Sequence, residues 1–343
     1  MKSHLQLIPT ADMTREAWLA YRHTGLGASE VGAVLGLDDY LSSLELYYYK
    51  IGDLPRLDIE SMAAFMGREL EDLIARMWQY WDPNAVYPVE TMMENYRAQR
   101  IVRKCRRINA FVRNPAYPWL YVSLDRIINK HGPHDEGTLE LKSLGNWEAD
   151  KWVGGLPPKF VTQVNTQMLV PEFDYGEMAL LQDGRRFDVL PFERNDNIIQ
   201  HVVVRTKEFW DRVLEGRKLV NEKYNPELRW NQRRLDEIDA EIERLAPPPD
   251  GSLAYDDYLK EKYKNPTTSS RRGTEVERVI AQTHAVQRRV VDDATETLRR
   301  LEGELKVAMG EVQALDFGPD GKVLWTKTAQ GSRIFRNKVL GGV

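Results

Sequence analysis

The chain is 343 residues long, 42% hydrophobic and 29% charged, a globular composition with room for one large domain or two ordinary ones. Its single cysteine, Cys105, excludes an intramolecular disulfide and any cysteine-built metal cluster within one chain. A net charge of -4 gives no overall pull toward nucleic acid, no apolar run approaches the ~18 residues of a membrane span, and the N-terminus lacks a signal-peptide core, so a cytoplasmic protein is expected.

In chain order, Thr14 leads a helix that carries Trp18 and Arg22 one turn apart. After a glycine-bearing turn, Ser29 is placed to N-cap a short helix over 30–35 that ends at Gly36. Free N–H groups, a serine hydroxyl and a nearby arginine make an anion site; an ordinary serine cap is the plainer alternative. Ser42 and Glu45 form a capping box, and Tyr47, Tyr48 and Tyr49 behind it read as packing. The stretch FMGRELEDLIARMWQYW is an amphipathic helix with Glu71 on the face of Ile74 and Trp78, and Gly67 one turn earlier. From Arg97 to Arg113 the chain carries Arg100, Arg103, Lys104, Arg106 and Arg107 besides the two end residues, and no acid. Such a run is ordinarily a solvated face; it is also what a phosphate-backbone footprint looks like.

WLYVSLDRII reads as one strand, HGPHDEG as a turn and TLELK as the returning strand of a hairpin. Residues two apart on a strand share a face, so Glu140 and Lys142 project together, Leu141 faces a core, and the hairpin can bring Asp125 beside them. Two carboxylates and an ammonium suit a hard divalent cation such as Mg²⁺, with the Leu141 carbonyl as a further oxygen. Such a cation acidifies a bound water and polarises a phosphate, and Lys142 can orient the water or offset developing charge. The same tripeptide recurs at Glu304-Leu305-Lys306, inside a long polar helix from Thr274 to Met309. There the two charges diverge, while Leu305 joins a seam of Leu298, Leu301 and Ala308. Prolines at 157 and 158 open another helix, with Gln163 and Gln167 one turn apart. Three parts are expected: a compact domain over 1–228, a helical, coiled-coil-like extension over 229–310, and a β-hairpin element over 311–343 turning at Gly318-Pro319-Asp320-Gly321.

Taken together, Trp18-x3-Arg22, Ala28-Ser29-Glu30-Val31, Gly67-x3-Glu71, Asp125, Glu140-Leu141-Lys142 and Gln163-Val164 resemble the YqaJ-type viral recombinase family. That family is related to phage lambda exonuclease within the PD-(D/E)XK nucleases. The resemblance covers residues 14–215 and implies an α/β, restriction-endonuclease-like core with a central mixed β-sheet flanked by helices. It implies Glu71, Asp125, Glu140 and the Leu141 carbonyl as metal ligands, Lys142 as the catalytic lysine and Gln163 as an assisting residue. Arg22 and Ser29 would hold a 5′-terminal phosphate, and Arg103, Lys104, Arg106 and Arg107 are the candidates for backbone contact. The implied activity is Mg²⁺-dependent digestion of duplex DNA from 5′ ends, with Mn²⁺ able to substitute, leaving 3′ single strands for a phage single-strand annealing protein. Ring-shaped homo-oligomers, trimers foremost, and a phage or prophage gene expressed in bacterial cytoplasm are implied as well. Arg126 stands where glycine is common, which crowds the site or adds a phosphate contact, and Phe160 stands where tyrosine is common. The alternatives are a structure-specific or restriction-like endonuclease on the same fold, and a non-catalytic DNA-binding or assembly protein.

Overall fold

A computed structural model describes residues 1–54, 61–129, 135–145, 156–265, 268–327 and 333–339. The chain divides into two compact units, Met1–Asn265 and Pro266–Val343.

The first unit is α/β and holds two sheets. A four-stranded sheet runs in the order β1 (Gln6–Pro9), β4 (Ala110–Arg113), β5 (Leu120–Ser123), β2 (Leu26–Gly27). A five-stranded mixed sheet runs β3 (Cys105–Arg106), β6 (Arg126–Asn129), β7 (Glu136–Leu144), β8 (Tyr175–Gln182), β9 (Arg186–Glu193). Within it β7 and β8 are parallel and the other neighbours antiparallel. Alternation along β7 and β8 gives each face of this sheet a helix. Leu139, Leu141, Ala179 and Leu181 pack with Ile74 and Trp78 of α4 (Met62–Tyr80). Leu144, Met178 and Leu180 lie with Val164 and Met168 of the helix Pro158–Leu169, called α6 here. The flanked mixed sheet agrees with the α/β expectation.

The remaining helices of this unit are α1 (Arg15–Arg22), α2 (Val31–Val34), α3 (Ser43–Ile51), α5 (Pro88–Arg97), α7 (Asp196–Lys223), α8 (Gln232–Leu245) and α9 (Leu253–Lys262). Thr14 caps α1 through its side chain, as expected, and the three tyrosines of α3 are buried. The boundary differs from the one read at 228/229. Ile238 and Ile242 of α8 and Tyr255 of α9 belong to the main core of the first unit, so the division falls after Asn265.

WLYVSLDRII does not form one strand. It breaks at Leu124–Asp125, with β5 in one sheet and β6 in the other. Leu124 is buried, and the Asp125 carboxylate, just before β6 begins, accepts from the Leu141 N–H at 2.8 Å. The centre of the expected hairpin turn lies outside the described residues.

In the second unit α10 (Glu275–Met309) starts at Thr274, whose side chain and Glu277 form a capping box. Arg300 pairs with Glu304 and Lys306 with Glu302, so the second ELK spends its charges along its own helix. Leu298 and Leu301 are exposed, and with Leu305 and Ala308 they face Phe335 and Asn337 across a groove. The expected hairpin is present as β10 (Ala314–Asp316) and β11 (Gly321–Lys327); a third antiparallel strand, β12 (Arg333–Val339), joins β11. Among the described residues no helix is long and apolar enough to cross a membrane.

Candidate functional site

Asp125 stands at the switch between the sheets, one step beyond the Arg126–Leu139 pair of the β6–β7 ladder, and so falls opposite Glu140. Glu140 and Lys142 share a face of β7, and the Lys142 ammonium lies 2.7 Å from Glu140 Oε1. The buried Glu140 carboxylate is held from above by α6. Gln163 Nε2 donates to its Oε1 at 2.7 Å and Gln167 Nε2 to its Oε2 at 2.5 Å. The 3.6-residue helical period makes this possible, since residues four apart stack on one face. Phe160 lies beside the site, its ring 5.3 Å from the Lys142 ammonium.

Burial pushes the Asp125 carboxyl well above its ordinary value, and the nearby Glu140 charge adds to this; Lys142 and the Leu141 N–H only partly offset it. Two acids side by side in one cleft without a full countercharge form a site that a cation would relax. The Leu141 N–H points at Asp125, and on a strand a residue's N–H and C=O point the same way, so its carbonyl faces the same gap. The donor set therefore fits Mg²⁺, which takes one or two carboxylates and completes its shell with water and phosphate oxygens. Among the described residues no three His, Cys, Asp or Glu side chains are gathered as a preformed cage.

Glu71 is on the expected face of α4 and close enough for its charge to act on Asp125, but its Oε2 pairs with Arg107 at 3.2 Å. Burial raises its own pKa, against the lowering effect of Arg107.

Asp125, Glu140, Gln163 and Gln167 line a cleft of about 190 Å³ together with Trp18, Arg22, Gly27, Ala28, Ser29, Phe111, Tyr121 and Ser123. Asp125 and Glu140 on the one hand and Arg22 and Ser29 on the other, far apart in sequence, thus share one cavity. Ser29 is exposed to it but caps no helix: it lies within a single 3-10 turn, Ala28–Glu30, and the Gly27 N–H is taken by the Glu30 side chain at 2.9 Å. Arg22 Nη2 pairs with Glu30 Oε1 at 2.9 Å, and its guanidinium lies over Trp18 at 4.9 Å. Burial opposes the Arg22 charge, yet Glu30 and Tyr121 hold its pKa above the ordinary value.

The basic run is not a free patch. Arg103 stacks on Trp78 at 3.9 Å and pairs with Glu177 at 2.8 Å; Arg106 pairs with Glu136, and Arg107 with Glu71 and Asp72. Acids distant in sequence supply the partners, which a local charge count cannot foresee. Lys104 stays exposed. Arg126 is buried and is not among the residues lining the cleft, donating to the Asp125 carbonyl at 2.6 Å and pairing with Asp72 at 2.5 Å. It ties α4 to the sheet.

Two participants escape a sequence-level reading. Ser123, two before Asp125, was legible only through strand alternation. Lys50, at the end of the tyrosine-rich helix, is fully buried and pairs with Glu30 at 2.8 Å. A lone charge among apolar neighbours was its signal.

Residues 17–174 match the YqaJ-like viral recombinase domain. Bacillus subtilis (strain 168) YqaJ, described as uncharacterized, is 27% identical over 261 residues, 75% of this chain and 66% of that protein. The chain thus spans about two thirds of the length of this curated relative. Among solved structures, similarity is found to an alkaline exonuclease of Laribacter hongkongensis, at 18% identity over 61% of this chain and 97% of that one, with a TM-score of 0.46. It is found also to a phage related exonuclease of Haemophilus somnus 129PT, at 9% identity over 57% and 97%, with a TM-score of 0.37.

Proposed function

From the YqaJ-like viral recombinase domain that residues 17–174 form, we propose a metal-dependent deoxyribonuclease that digests linear duplex DNA from 5′ ends and leaves 3′ single strands for phage-type recombination. The supporting observation is the shared cleft: Asp125 and Glu140, with Lys142 beside them, line it together with Arg22 and Ser29.

Asp125, Glu140 and the Leu141 carbonyl would hold Mg²⁺ or Mn²⁺, with Glu71 joining only on leaving Arg107. When bound, the ion lowers the pKa of a water and polarises the scissile phosphate. Gln163 and Gln167 fix both oxygens of Glu140, so that carboxylate does not have to reorganise during reaction. Lys142 donates to the attacking water or to the phosphate as charge builds on it. Arg22 and Ser29 bind the terminal phosphate and so set which bond lies at the carboxylates. The resemblance supports two partners beyond duplex ends, a phage single-strand annealing protein and further copies of this chain in a ring, trimeric by preference.

The test is linear duplex labelled at either end, with Mg²⁺, beside closed-circular DNA. Loss of 5′ label first, with circles left intact, is expected; cutting of circles would favour the endonuclease reading.

A further inference from the structure

Arg22 carries a difficulty if it is to bind an anion: its guanidinium is already paired with Glu30, and an isolated arginine–glutamate pair is neutral. Behind Glu30 lies Lys50, whose side chain is wholly buried. Its ammonium spends all three donors inside the fold, on the Arg22 carbonyl at 2.6 Å, the Gly25 carbonyl at 2.8 Å and Glu30 Oε2 at 2.8 Å. It therefore cannot touch a ligand in the cleft. Its charge nevertheless changes the sum: two cations and one carboxylate leave an excess of one positive charge. Of the three, only Arg22 lines the cleft, with 16% of its side chain exposed against 2% for Glu30 and none for Lys50.

The surrounding charges do not cancel this excess. Arg217, on α7, donates to the carbonyls of His23 and Lys50, and its charge adds to the excess instead of cancelling it. His23 is held toward its neutral form by burial, then by Lys50 and Arg217. Tyr121 stays a neutral phenol beside Arg22, its pKa raised by burial and the Glu30 charge. The acids lining the same cleft, Asp125 and Glu140, are the same in every variant compared below and so leave the differences between them to Arg22, Glu30 and Lys50.

We propose that Glu30 and Lys50 are positioning residues for end recognition: Glu30 fixes the Arg22 guanidinium plane, and Lys50 cancels the Glu30 charge so that Arg22 keeps its full attraction for a DNA-end phosphate. This rests on the assignment of Arg22 to the end phosphate.

The experiment uses the full chain in EDTA and measures, by fluorescence anisotropy, the affinities for two linear duplexes that differ only in a 5′-phosphate or 5′-hydroxyl. The wild type is expected to favour the phosphate about tenfold, the size of one charge-assisted contact, and Arg22→Ala to bring the ratio to one. Lys50→Met should also bring it near one. Adding Glu30→Gln to Lys50→Met restores the excess charge and should bring much of the preference back, which a merely structural lysine would not allow. An unchanged ratio in Lys50→Met, or no recovery in the double variant, overturns the proposal. If Lys50→Met melts early by circular dichroism, Glu30→Gln alone decides: a ratio above wild type supports the charge account, and one at or below it overturns it. A wild-type ratio of one would instead overturn the end-phosphate assignment itself, and the proposal with it.

Discussion

Asp125 carries the clearest single-residue consequence. Its pKa is raised in the fold, so the folded protein keeps a proton that the unfolded chain releases. The associated stability is present below the ordinary value of 3.8 and is lost as pH rises through the raised one. At pH 8 without metal the buried carboxylate is thus a net cost. Asp125→Asn should melt higher than wild type in EDTA at pH 8, with the gap closing toward pH 4. Added Mg²⁺ should raise the wild-type melting temperature and leave that of Asp125→Asn in place. Thermal scans across pH check both, and a variant that melts lower than wild type at pH 8 would contradict the sign. Lys142→Met should slow digestion by about 10²–10³-fold, the usual cost of removing one donor from developing charge, while duplex binding in EDTA persists.

At the scale of elements, the site depends on α3 packing tightly against α7, because the last turn of α3 carries Lys50. Gly216 of α7 makes that approach possible: a Cβ there would lie 2.7 Å from both Ile51 Cγ2 and Tyr47 Oη. Gly216→Ala should cost about 1–3 kcal/mol by overpacking, read as a lower urea midpoint at unchanged slope. What the sequence discloses follows the same scale. The strand period placed Glu140 and Lys142 on one face, and the helix period placed Glu71 with Ile74 and Trp78, because each is a local geometric rule. The break at Leu124–Asp125 was not legible, since the residues on both sides are equally strand-forming and only the meeting of two sheets distinguishes them. The Ser29 cap failed for a similar reason: a 3-10 turn over Ala28–Glu30 runs straight into α2, so Glu30 takes the cap position and Ser29 lies inside the turn. The basic run lost its freedom to Glu177, Glu136, Glu71 and Asp72, none of them sequence neighbours.

For the whole molecule, the question is how much chain the site needs. Charge-rich α8 reads as an appendage, yet Ile238 is 0%, Ile242 2% and Tyr255 6% exposed, all within the core that holds α3 and α6. Burying each such side chain is worth about 1.5–3 kcal/mol, so losing three removes a large share of a total stability that is about 5–15 kcal/mol. Tyr47, next to the α3–α7 contact, also donates its hydroxyl to the Ile242 carbonyl at 3.3 Å. A chain ended after Leu228 should therefore fail to fold cooperatively and digest nothing, although it keeps every residue assigned to the cleft. A chain ended after Asn265 keeps the first unit whole and should melt in one transition and still digest linear duplex. Digestion by the shorter chain would show that α8 and α9 are appendages after all; inactivity of a folded longer chain would place part of the activity in residues 266–343.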